Sequence, residues 1–218
     1  MPLTIALIPV KALEHSKSRL LSHLPDERRQ ALTLAMLADL IDALSETSGI
    51  DRIAVTTPDV AVADQTRAAG AEVLMRPEPG LNAALEDGIQ RLLPKSNEPF
   101  MIVLGDVAGA IASDFEQLLS LSNESTDRGV WLVPSADGGT SALLQRPAGV
   151  IPCRFGQNSA GRHREAAKEI GVAFSEVPLA SLAIDLDQPG DLEIFQKTRG
   201  GGKRTRALLE VIMNGKPE

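Results

Sequence analysis

Apolar residues along this chain follow two rhythms. Short unbroken runs occupy residues 3–10 (LTIALIPV), 51–57 (DRIAVTT), 71–75, 99–104 (PFMIVL) and 129–134 (GVWLVP). Runs of this length, rich in Val and Ile, predict strands buried on both faces. Between them the spacing becomes helical. Leu32, Met36, Leu37, Leu40, Ile41 and Leu44 share one stripe of a helix that opens at Pro25 and stops at Gly49. Asp26 and Glu27 sit in its first turn, where they complement the helix dipole. Residues 60–69, 81–93 and 115–122 read as further helices, with stops at Gly70 and Pro94 for the first two. This alternation, through about residue 135, predicts an α/β fold with a mostly parallel sheet and helices on both faces.

The second part changes style. Asp137-Gly138-Gly139 is a turn signal, residues 141–145 read as a strand, and residues 151–154 read as a partner strand that buries Cys153. A helix over 158–170 ends at Gly171; a strand over 172–177 and a short helix over 191–196 follow. Three glycines at 200–202 predict a flexible break before a last helix over 204–213. That helix reads either as a packed terminus or as the arm of a homodimer.

Composition narrows the picture. With 43% hydrophobic and 23% charged residues, the chain carries enough apolar material for a core that needs no disulfide or metal. A net charge of -7 argues against nucleic acid as a partner. Lys203, Arg204 and Arg206 cluster locally and read as a solvated helix start. Five Phe, one Trp and no Tyr leave little for a base-stacking platform. No run approaches the ~18 apolar residues of a membrane span. The single cysteine and the lack of a basic, cleavable leader pattern after Met1 lead us to expect a cytoplasmic protein.

Several segments carry chemistry. Pro9-Val10-Lys11, followed by Lys17-Ser18-Arg19, leaves the carboxyl end of the first strand, the edge where open α/β sheets bind ligands. Its two lysines and arginine could hold a triphosphate; a solvated loop is the competing reading. Asp106 follows the buried run 99–104 and is placed either to bind Mg²⁺ or to cap a turn. Asp185 and Asp187 flank Leu186, so an extended backbone puts both carboxylates on one face, where a divalent cation would join them. The alternative makes Asp187 a helix cap ahead of Pro189. Gly138 and Gly139 could form an anion nest to which the Thr140 hydroxyl adds a donor, or a plain hairpin turn. Phe155-Gly156-Gln157-Asn158-Ser159 opens a helix whose N-terminus suits an anion, with His163 one turn on. Gly80-Leu81-Asn82 starts another helix, where Asn82 reads a base edge or ribose, or caps the helix. Gly156 and Gly161 have P-loop spacing, but Arg162-His163 replaces Lys-Ser/Thr, which excludes a P-loop.

Taken in order, PVKALEHSKSRL (9–20), GLNAAL (80–85), GDVAGA (105–110), DGGTSALLQRP (137–147), FGQNSAGRHREAA (155–167) and DLDQPGDL (185–192) cover nearly the whole chain. This set resembles the 2-phospho-L-lactate guanylyltransferase family of coenzyme F420 biosynthesis, including its phosphoenolpyruvate and 3-phosphoglycerate variants. The resemblance implies a single Rossmann-like nucleotidyltransferase domain, similar to nucleotide-diphospho-sugar transferases. Residues 1–135 would form the nucleotide part, 136–199 the acceptor part and 200–218 a helical tail. It implies GTP and a small phosphorylated carboxylic acid as substrates, Mg²⁺ as cofactor, and compatibility with a homodimer. It assigns Lys11 and Asp106 to catalysis, with Pro9, Val10, Lys17, Arg19, Gly80 and Asn82 beside Lys11 around the nucleotide. Thr140, Gly156 and Ser159 would bind the acid, and Asp106, Asp185 and Asp187 the metal. Transfer of another nucleotide, and nucleotide binding without catalysis, remain the alternatives. Where the family usually has Asp-x-Pro-Leu, this chain has Asp106-Val107-Ala108-Gly109, which predicts a more flexible loop and a roomier pocket.

Overall fold

The computed structural model describes residues 4–20, 23–77, 80–92, 98–124, 128–183, 185–198 and 200–214. Leu3, Leu93 and Pro94, which bound two of the expected elements, lie outside them. The apolar runs become β1 (Thr4–Pro9), β2 (Ile50–Thr57), β3 (Glu72–Met75), β4 (Phe100–Val103) and β5 (Gly129–Pro134). β6 (Thr140–Arg146) and β7 (Ala173–Glu176) complete one sheet in the order β3-β2-β1-β4-β6-β5-β7. Only β6 runs against the rest.

Side-chain alternation divides the core. Ile5 and Leu7 enter one apolar layer, Ala6 and Ile8 the other. The first layer is roofed by α3 (Leu81–Leu92) and α5 (Ser159–Glu169), the second by α1 (Asp26–Ser45), α2 (Val60–Ala68) and α4 (Ala112–Glu124). The expected α1 stripe, Leu32 to Leu44, is fully buried. Asp59 caps α2 by accepting from the N–H groups of Ala61 and Val62. No helix among the described residues is long and apolar enough to cross a membrane.

Two expectations change. Residues 151–154 form no strand, because β6 already has β4 on one side and β5 on the other. Their backbone is held by side chains instead. Gln145 accepts from the Ile151 N–H, Glu86 from Cys153, His163 from Arg154, and Asn82 from Phe155. Cys153 is buried there, and burial beside Glu86 pushes its thiol pKa up, so it is inert.

The triple glycine is a close-packed strap rather than a flexible break. The Gly201 N–H donates to the Gly109 carbonyl at 3.0 Å. A Cβ on Gly201 would lie 2.0 Å from the Ala110 carbonyl oxygen, and one on Gly202 2.4 Å from that of Ala108. The loop expected to be flexible is therefore clamped, with Val107 2% and Ala108 1% exposed. α6 (Pro189–Lys197) and α7 (Lys203–Asn214) close the fold over α1. Of the two readings of the last helix, the packed terminus holds. Asp39 accepts from the Arg204 and Thr205 N–H groups and from the Thr205 hydroxyl. Arg204 pairs with Asp42, and Arg206 stacks 4.0 Å from the centre of the Phe195 ring. The basic cluster is thus largely tied down rather than solvated.

Candidate active site

The carboxyl ends of β1, β2, β3 and β4 surround a cavity of about 410 Å³. Pro9, Val10, Lys11, Lys17, Gly80 and Asp106 line it, joined by Asp187. Gly105 lets the β4 end close on β1, since a Cβ there would come within 3.1 Å of the Pro9 carbonyl oxygen.

The lysine loop is built rather than loose. Two 3-10 turns, Leu13–His15 and Ser18–Leu20, bracket Lys17. The Leu13 N–H donates to the second oxygen of Asp59, the α2 cap, at 2.9 Å. The buried Arg29 guanidinium grips the Ser16 carbonyl and pairs with Asp26. These anchors hold Lys17 at φ 48°, in the left-handed region, at a cost of about 1–3 kcal/mol that such sites store. The Lys17 side chain is 6% exposed, and its ammonium lies 3.4 Å from Asp185 and 3.8 Å from Asp187. Arg19 meets the other Asp187 oxygen at 2.9 Å and does not line the cavity.

Alternation around Leu186 brings the two carboxylates together as expected, with Leu186 buried between them. Asp185 bridges antiparallel to Val107, beside Asp106. Burial first, then the Asp106 and Asp187 charges, pushes the Asp185 pKa up to about 7 against the pull of Lys17. Asp187 does not cap α6; Gln188 is the cap, and Asp191 accepts from the N–H groups of both. This all-oxygen donor set suits a hard divalent cation, which would relieve the crowding at Asp185. Among the described residues, no three or more acidic, His or Cys side chains gather closely enough to hold a metal alone.

The expected acceptor residues form a second, buried cluster one strand along the same edge, where the Leu104 N–H donates to the Ser141 carbonyl. Thr140 starts β6 and Ser159 starts α5, and they meet through their hydroxyls at 3.0 Å. The Thr140 Oγ1 also lies 3.2 Å from His163 Nδ1. Gly156 needs its φ of 114°, and its carbonyl accepts from the Ser159 N–H. The glycine turn before Thr140 is a hairpin turn and no anion nest, because its N–H groups are spent. Gly138 donates to the Ser135 carbonyl and Gly139 to Asp137. Hydrogen bonds from Ser135 and Gly139 hold the Asp137 carboxyl below its ordinary pKa. Asn82 neither lines the cavity nor caps α3. Its amide donates to the Phe155 carbonyl and accepts from the Phe155 N–H, fixing the turn that carries Gly156.

Sequence reasoning missed Thr56, Thr57 and Arg76, which line the cavity, and Arg29, Asp59 and the glycine strap, which hold its loops. Asp59 alone left a signal, as an acidic residue before a helical run after a strand.

The open α/β sheet, with its lysines and acidic residues at the carboxyl ends of the strands, has the fold of solved nucleotide-diphospho-sugar transferase-like and cytidylyltransferase structures. A protein from Desulfovibrio desulfuricans described as a nucleotide-diphospho-sugar transferase superposes with a TM-score of 0.74 at 16% identity, covering 99% of each chain. A cytidylyltransferase from Leptospira borgpetersenii gives 0.62 at 13% identity, covering 98% of this chain and 94% of that one. At these identities the likeness concerns the fold alone. Sequence comparison goes further: the family model described as "Guanylyl transferase CofC like" matches residues 4–215, and the chain belongs to that family. It is 37% identical over 204 residues to a phosphoenolpyruvate guanylyltransferase of Rubrobacter xylanophilus, covering 92% of this chain and 97% of that one. It is 35% identical over 209 residues to a 3-phospho-D-glycerate guanylyltransferase of Phenylobacterium zucineum, covering 94% of each.

Proposed function

We propose that the chain is a guanylyltransferase that joins GMP from GTP to the phosphate of a three-carbon acid: 2-phospholactate, phosphoenolpyruvate or 3-phosphoglycerate. An acceptor phosphate oxygen attacks the α-phosphorus of GTP in line. The new P–O–P bond forms as the α–β bond breaks, and pyrophosphate leaves. The observation that carries this reading is the cavity at the strand ends, where Lys11 and Lys17 stand beside Asp106 and Asp187. Lys11 and Lys17 steady the triphosphate, with Arg19 at the rim through Asp187. In this reading Asp106, Asp185 and Asp187 hold Mg²⁺, which would neutralise charge developing at the phosphates. The acceptor phosphate is already ionised, so no strong general base is needed. Thr140, Ser159 and the Gly156 turn hold the acid, placed by the Asn82 clamp. The reaction fits coenzyme F420 biosynthesis in a reducing cytoplasm, where one buried cysteine stays a thiol.

The test is pyrophosphate release from GTP and Mg²⁺ against each acid, with mass detection of the product. Release with one acid, accompanied by its guanylylated mass, is expected. Silence with all three, or faster release from CTP than from GTP, overturns the reading.

A further inference from the structure

His163 sits in the first turns of α5 with no exposed surface, edge-on to the Phe155 ring at 4.9 Å between centroids. Its two nitrogens do different work. Nε2 lies 3.0 Å from the Arg154 N–H, which can only donate, so Nε2 must be the bare acceptor. Burial, with Arg162 and Arg154 adding like charge, lowers its pKa to about 4 and keeps the ring neutral. The ring proton is therefore on Nδ1, and it can be given only to Thr140 Oγ1 at 3.2 Å.

Counting protons then fixes the polarity of the cluster. His163 Nδ1, Thr140 Oγ1 and Ser159 Oγ carry three donor protons, but only two contacts join them. One hydroxyl proton is left over. Thr140 is 2% and Ser159 1% exposed, and among the described residues neither hydroxyl has a further partner. A buried donor without an acceptor costs about 1–3 kcal/mol, which an arriving oxygen ligand recovers. With the opposite tautomer, Nδ1 would consume a hydroxyl proton and none would remain.

We infer that His163 is a positioning residue: its fixed tautomer makes the Thr140–Ser159 pair a net donor to an anionic oxygen of the phosphorylated acid. This rests on the guanylyl-transfer reading and extends it to a residue outside the expected set. The hydroxyl pair would add directed donors beside the Arg162 guanidinium, which donates to the Phe155 carbonyl at 3.1 Å next to the Gly156 turn.

Two measurements on the full chain test it. Nitrogen-15 NMR of the histidine-labelled protein at neutral pH should show one imidazole protonated at Nδ1 and bare at Nε2, bonded to Thr140; the reverse tautomer or a charged ring overturns the proposal. Calorimetric titration with 3-phosphoglycerate, phosphoenolpyruvate and 2-phospholactate then reads a double-mutant cycle. His163→Phe, which keeps the ring packing, should weaken the best-bound acid about tenfold and leave GTP affinity unchanged. Added to Thr140→Val it should do no further harm. Equal losses for acid and GTP, or additive losses, would make His163 a packing residue only. If His163→Phe fails to fold, His163→Met gives the same cycle, since it too has no proton to give Thr140, whereas His163→Gln, whose amide can accept from Arg154 and donate to Thr140, should keep the acid affinity within about threefold. Binding is read without turnover, so acids that bind but do not react refute the proposed reaction and leave the His163 inference standing.

Discussion

The two sides of this sheet edge treat charge in opposite ways. At the ends of β1 to β4, Lys11, Lys17, Asp106 and Asp187 surround an open cavity, and Asp185 is crowded enough to change its acidity. Beside it, at the start of β6, the cluster of Thr140, Ser159 and a neutral His163 is buried and itself uncharged, with Arg154 and Arg162 nearby. In the proposed reaction the first arrangement would stabilise charge that builds up during phosphoryl transfer. In the same reading the second would offer a few hydroxyl donors, which orient a ligand more than they attract it. The difference predicts that variants on the charged side lose turnover, and that variants on the neutral side lose acid affinity.

The largest effect should follow Asp106→Asn. Turnover should fall by about a thousandfold or more, the scale of losing a group that stabilises transition-state charge. Its melting temperature should stay within about 2 °C of wild type, since Asp106 is half-buried at a strand end. Unchanged turnover would remove Asp106 from the chemistry. Lys17→Met should follow, with about a hundredfold loss in kcat/KM for GTP, about 2.7 kcal/mol. A loss confined to acid KM would move Lys17 to the other region.

Gly202→Ala tests whether the strap holds the Asp106 loop. A side chain there meets the Ala108 carbonyl and Phe195 at a φ of 79°. We expect about 2 kcal/mol of destabilisation, seen as a melting temperature lower by about 5 °C, together with reduced turnover. Thr140→Val should raise acid KM about tenfold with GTP KM unchanged, the value of one lost hydrogen bond.

The smallest effect concerns pH. The Asp185 pKa is raised from 3.8 to about 7, so the folded state holds this proton more tightly than the unfolded one. The stability it contributes is complete below pH 4 and is lost as pH rises through about 7. The carboxylate is about a third exposed, so we expect only about 1 kcal/mol. Melting scans without metal should fall between pH 5 and 8, less so for Asp185→Asn. Added Mg²⁺ should raise the melting temperature more at pH 8 than at pH 5; an equal rise at both would detach the metal from Asp185.

Much of this molecule was legible because strand alternation and helical spacing are local signals. They placed β1 to β5, the α1 stripe and the Asp185-Leu186-Asp187 face, and the first motifs pointed to the sheet edge where the cavity lies. What escaped was non-local. Nothing in residues 151–154 says that both sides of β6 are taken, or that Asn82 and Glu86, about seventy positions away, hold that backbone. Gly200 to Gly202 read as a loose hinge until the carbonyls of Ala108 and Ala110 were seen against them. Arg29 looks like a surface helix residue, yet it is buried under the lysine loop.

The measurement that bears most directly on the division between the two regions is a crossed calorimetric titration of GTP with Mg²⁺ and of the accepted acid. It is made into Asp106→Asn and Thr140→Val. The account predicts that Asp106→Asn binds the acid within about twofold of wild type, while Thr140→Val binds GTP normally and the acid about tenfold more weakly. Loss of both ligands by either variant would contradict it, because the edge would then act as one site rather than two.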